Sequence, residues 1–147
     1  MNIDIENSVY KNDNQKTSKQ TSQAHPLARF LLAVFEFQIA LKMYHFQTVK
    51  YSAHKSVGKY SDKLEKKMDK FFEIGQGIFG KIYINEHENK VIRANNVFDR
   101  NFEDYIKKFN YEIDNVEKII ARHSDLCNIK DEIRGDLSQL IYLLTFQ

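Results

Sequence analysis

Two imidazoles and two carboxylates stand out between Tyr44 and Glu73: His45, His54, Asp69 and Glu73. A neutral imidazole offers one nitrogen lone pair, and a carboxylate offers hard oxygens. Together they form a mixed donor set that suits Fe(II), and also Zn(II) or Mn(II). Bound iron would bring redox chemistry, while the chain would supply ligands and geometry. Other chemistries lack their residues. There is no Glu-x-x-His, no His-Glu-x-x-His, no Gly-rich phosphate loop and no Gly-x-Ser-x-Gly.

Spacing decides how the four can meet. Asp69 and Glu73 are four apart and share a helix face. His45 and His54 flank a short link that can bring them together. Asp69, however, follows His54 by fifteen residues, about 22 Å along a straight helix. One helix cannot carry both ends to one metal, so a second chain must supply one pair. Two such helices packed antiparallel about a two-fold axis would set the histidines of one subunit opposite the acids of the other, twice per interface. A plainer reading also stands. Lys55, Lys59, Lys63, Lys66 and Lys70 form a stripe on the same helix, Asp62 and Lys66 have the spacing of an ordinary ion pair, and His45 lies in line with Val34 and Leu41. On that reading the acids belong to a solvated face and His45 is a hydrogen-bonded core histidine.

The elements that position these residues are helical. Pro26 suits a first helical turn, and the first helix runs to about Thr48. Its faces carry Leu27, Leu31, Val34, Gln38, Leu41 and His45 on one side and Leu32, Phe35, Ile39, Met43 and Phe46 on another. A helix apolar on two sides is covered on two sides, and the second cover is expected to be another subunit. The second helix starts near Ser52 and ends near Gly75 or Gly77, with Val57, Tyr60, Leu64, Met68, Phe71 and Phe72 inward. A long connection follows, in which "KIYIN" and "KVIR" around "EHEN" have the pattern of a small hairpin. The third helix spans about Asp99–Arg122. The fourth spans about Asn128–Phe146, with Asn128 as N-cap and Asp131 and Glu132 as helix-start charges. Two hairpins of helices joined by a long link predict an all-α, up-down-down-up four-helix bundle with one crossover, the architecture of ferritin-like folds.

The totals agree. The 147 residues are 42% hydrophobic, with 11 Phe and 8 Tyr, enough for one domain with a core. Residues 1–24 are polar and aperiodic, read as a disordered arm before a bundle at 25–147. Its three lysines and three acids cancel, so DNA is a weakly supported partner. The polar N-terminus predicts no signal peptide. The most apolar run, Leu27 to Phe46, is broken by Arg29, Glu36 and Lys42, which argues against a membrane span, and no membrane partner is expected. A lone Cys127 excludes an intrachain disulfide and fits a reducing, cytoplasmic setting. His87, in "NEHENK", reads as a solvated loop residue.

Residues 27–80 resemble the Dps-like mini-ferritins. The quoted "HF" at His45–Phe46, His54, the Asp fifteen residues later at Asp69 and the Glu four further at Glu73 follow that family's pattern. The chain departs from it in a shorter His-to-His spacing, in Phe46 for the usual Trp, and in Gly58 where the family often has an acid. The resemblance implies His45 and His54 as imidazole ligands and Asp69 and Glu73 as carboxylate ligands of an iron site between two-fold-related subunits. It implies ferroxidase and iron-storage activity in a homo-oligomer, either a two-fold dimer or a twelve-subunit shell. The alternative is a non-catalytic helical structural or interaction protein on the same bundle.

Overall fold

The computed structural model describes residues 23–86 and 90–146; the arm expected over the first residues and His87 lie outside them. Four helices make up the fold: α1 (Ala28–Gln47), α2 (Tyr51–Phe79), α3 (Phe102–Ile120) and α4 (Ser124–Leu143). α1 packs against α2 and α3, and α4 packs against the same two.

Cross-helix contacts fix the directions. Arg29 at the start of α1 meets Glu112 in the second half of α3, whereas Tyr44 near the end of α1 stacks on Phe102, the first residue of α3. α1 and α3 are therefore antiparallel. On the other side, Ser52 reaches Phe146, Lys63 reaches Asp136, and Phe79 meets His123, so α2 and α4 are antiparallel too. The order is up-down-down-up, and residues 80–101 must return along the whole bundle. The described residues of this link are tied first to the end of α2 and then along α1: Ile82 bonds Gln76, Lys90 bonds Glu36, and Val97 bonds Gln47.

This return path replaces the expected hairpin. Among the described residues of the connection there is no strand. Side-chain oxygens of Gln76, Gln47 and Asn101 accept the backbone N–H groups of Ile82, Val97 and Phe98, so these do not need a ladder partner.

The core is aromatic. Phe37 stacks on Phe109 at 4.3 Å and Phe30 meets Phe71 edge-on at 5.3 Å. Offsets from the expected helix bounds have packing causes. α2 runs through Gly75 and Gly77 to Gly80. A Cβ on Gly75 would lie 2.5 Å from Leu27 Cδ1, so that glycine serves a close approach and not a stop. Gly80, at φ 85°, is the true end. α4 begins at Ser124 with His123 as N-cap, because Leu126 is fully buried and extends the apolar stripe backwards. Asn128 is thus interior, Asp125 is the acid of the first turn, and Asp131 and Glu132 lie about two turns into the helix. Lys130, just before them, is buried and paired with Glu117 and Asp131.

The second apolar stripe of α1 stays partly wet in the single chain. Phe35 is 45% and Phe46 74% exposed, while Met43 instead packs against the core. No helix among the described residues is long and apolar enough to cross a membrane.

Candidate metal centre

α1 and α2 are joined by three residues, Thr48–Lys50. Thr48 closes α1 by donating its N–H to Tyr44 and turns extended, and its hydroxyl accepts the Lys50 N–H. So tight a link holds the end of α1 against the start of α2. His45 and His54 meet there, half-buried, with ring centroids 3.9 Å apart and planes 22° from parallel.

Each ring is pinned by the other residue's backbone. His45 Nδ1 lies 3.0 Å from the His54 carbonyl, and His54 Nδ1 lies 2.7 Å from the His45 carbonyl. A carbonyl oxygen only accepts, so both Nδ1 atoms carry the proton and donate. Each neutral ring then keeps its lone pair on Nε2, and among the described residues neither Nε2 has a protein partner. A histidine that donates one N–H to a backbone carbonyl and frees the other nitrogen is oriented as metal-ligating histidines are. Lone pairs lie in the ring planes. With the rings stacked, the two do not converge on one ion, and the pair offers two neighbouring single donors.

The same bonds also have structural value. The His45 carbonyl is one of the last four of α1 and has no intrahelical donor; His54 satisfies it.

Asp69 and Glu73 stand elsewhere. Both are exposed on α2, fifteen and nineteen residues of unbroken helix from His54, about 22 and about 28 Å away. The structure brings the histidines together and leaves the acids apart, and no group of three or more His, Cys, Asp or Glu among the described residues could hold a metal ion. Of the lysine stripe on α2, Lys63 turns to α4, as does Lys67 beside it. Lys63 and Lys67 pair with Asp136 and Glu132 of α4. Among the described residues, Asp62, Glu65, Asp69 and Glu73 make no ion pair, so the expected Asp62–Lys66 bridge is absent.

Two anchors of the bundle, one at each end, gave no signal in the sequence. Tyr44 donates to Asp99, which also accepts from Thr48, tying the interhelical turn to the crossover. Burial and the Asp99 carboxylate push the Tyr44 hydroxyl up to about 12. At the opposite end, His25 donates from Nε2 to the Gly80 carbonyl and accepts the Leu27 N–H at Nδ1. These long-range partners are 51 or 55 residues apart, so no local pattern reveals them.

Residues 45–144 match a protein family described as a family of unknown function (DUF5856). The chain belongs to this family. The stretch shared with DUF5856 opens at His45 and takes in His54, Asp69 and Glu73, together with α2, α3 and α4. No curated protein and no solved structure matches the chain.

Proposed function

We propose that this DUF5856 protein is a Dps-like, iron-binding ferroxidase that serves iron storage and oxidative protection. The observation that carries the reading is the reciprocal histidine clasp, which commits both Nδ1 atoms to backbone carbonyls and leaves both Nε2 atoms free. A second copy supplies the carboxylates. In an antiparallel pairing of two α2 helices, Asp69 and Glu73 of one subunit stand opposite His45 and His54 of the other, and the interface holds the arrangement twice. A carboxylate has two oxygens and can span neighbouring ions, as the stacked rings require. The unpaired acids of α2 and the wet apolar stripe of α1 both support a face that is covered on assembly.

Iron is the substrate. Two Fe(II) ions give two electrons to one peroxide, which takes up two protons and leaves as two waters; dioxygen is the other oxidant of this class. Zn(II) or Mn(II) suits the same donors. The homo-oligomer is a two-fold dimer or a larger shell, DNA is a minor candidate partner, and the lone, half-buried Cys127 fits the cytoplasm.

A second reading has its own observation. His54 caps the otherwise unsatisfied His45 carbonyl, so the clasp alone could hold the hairpin of a non-catalytic interaction protein. Anaerobic Fe(II) titration with sedimentation separates the two. Saturable Fe(II) binding by an oligomer, lost in His54→Ala, supports the ferroxidase; a folded chain that binds no Fe(II) leaves the interaction protein.

A further inference from the structure

Gly58 lies inside α2, one turn after His54, where glycine is the least favourable residue apart from proline. Its backbone has no positive φ that would require glycine. The reason for it is space. A Cβ built at this position would stand 3.0 Å from His45 Cε1 and 3.2 Å from His45 Nδ1, tighter than ordinary van der Waals contact. The ring cannot easily move away. His54 stacks on it at 3.9 Å, and its Nδ1 is bonded to the His54 carbonyl. We infer that Gly58 is a positioning residue, the gap in α2 that admits the His45 imidazole and so sets the direction of its Nε2.

The short interhelical turn makes the gap necessary. With three residues between the helices, the end of α1 lies so close to α2 that the ring must sit over the α2 backbone. Any side chain at position 58 would compete with the imidazole for that place. The other glycines separate this demand from general permissiveness. A Cβ at Gly77 in α2 or at Gly135 in α4 would meet nothing within 4 Å. Those glycines only weaken their helices.

The packing relation stands by itself; its role in aiming a metal ligand rests on the reading proposed above. A mutant cycle tests it. Gly77→Ala should raise Tm by about 3 °C through helix propensity. Gly58→Ala should do the same in a His45→Ala background, where no ring is in the way, and should lower Tm in the otherwise native chain. The hydrogen-bonded Nδ1 proton of His45, read by NMR, should vanish in Gly58→Ala and persist in Gly77→Ala. Co(II), used as a spectroscopic probe, should bind the native oligomer and bind Gly58→Ala at least tenfold more weakly. An equal rise in Tm from Gly58→Ala in both backgrounds overturns the inference, as does unchanged Co(II) binding by a native-like Gly58→Ala. A coupled cycle in a protein that binds no Co(II) keeps the packing relation and sinks the metal reading alone.

Discussion

Asp69 follows His54 on one unbroken helix, fifteen residues away and without an ion-pair partner among the described residues, while His54 is fixed by the His45 carbonyl. Along α2 the two are about 22 Å apart, too far to share an ion within one chain.

Mixing variants tests whether a second copy joins them. His54→Ala and Asp69→Ala should each weaken Fe(II) binding and slow its oxidation with helicity retained, since neither is a buried packing residue. After subunit exchange between the two, half the dimers are mixed, and each mixed dimer regains one intact site of two. Ferroxidation should return to about a quarter of the native rate. No recovery on mixing would place the site within one chain.

The exposed stripe of α1 predicts assembly. Phe46 and Phe35 leave an apolar face open in the isolated chain. Sedimentation at micromolar protein should give a species larger than the 17.4 kDa monomer. Phe35→Lys should shift it towards monomer without unfolding the bundle. A native monomer would remove the shared site.

Acid should weaken the bundle partly through Glu36. Burial raises its pKa, but hydrogen bonds and charge from Lys108 at 2.7 Å and Lys90 at 3.2 Å outweigh that, and the net shift is below the ordinary 4.5. A depressed folded-state pKa contributes stability above the unfolded value that is lost as pH falls through the folded one. Glu36→Gln should therefore cost about 1 kcal/mol near neutral pH. The gap should narrow as pH falls below 4.5 and through the depressed folded value, as chemical denaturation across pH would read. A pH-independent gap would assign the loss to packing.

Alkali acts through Tyr44 with the opposite sign. Its hydroxyl is buried and bonded to Asp99, and its pKa is pushed up to about 12. Stability from a raised pKa is full below the unfolded value near 10 and is lost as pH rises through the folded one. Tyr44→Phe should cost about 1 kcal/mol at neutral pH and flatten the alkaline loss between those limits. An unchanged alkaline slope would show that other groups govern it.

The fork of Arg29 onto Glu112, both bonds at 2.9 Å, joins α1 to α3 with the carboxylate mostly buried and the guanidinium largely wet. Arg29→Ala leaves that carboxylate without its donors and should cost about 1–2 kcal/mol in urea melts. A loss under a few tenths would class the pair with ordinary surface bridges.

The four helices and the long crossover were legible in the sequence, because apolar residues at three- and four-residue steps report a buried face wherever the helix lies. The same periodicity placed Val57, Leu64 and Phe71 inward and set His54 and Asp69 too far apart to share an ion in one chain. Other features needed the tertiary structure. Gly75 looks like a stop until Leu27 fills the space beside it, and Gly58 looks like a weakness until the His45 ring covers it. The connection looks like a hairpin until Gln47 and Gln76 take up its backbone donors. Spacing brings His45 near His54, but only the reciprocal carbonyl bonds decide which nitrogen carries the proton. Periodicity reports how a residue sits on its own helix. What fills a gap, accepts a proton or neutralises a charge depends on partners that the chain alone does not place, whose contacts form only when distant segments pack together.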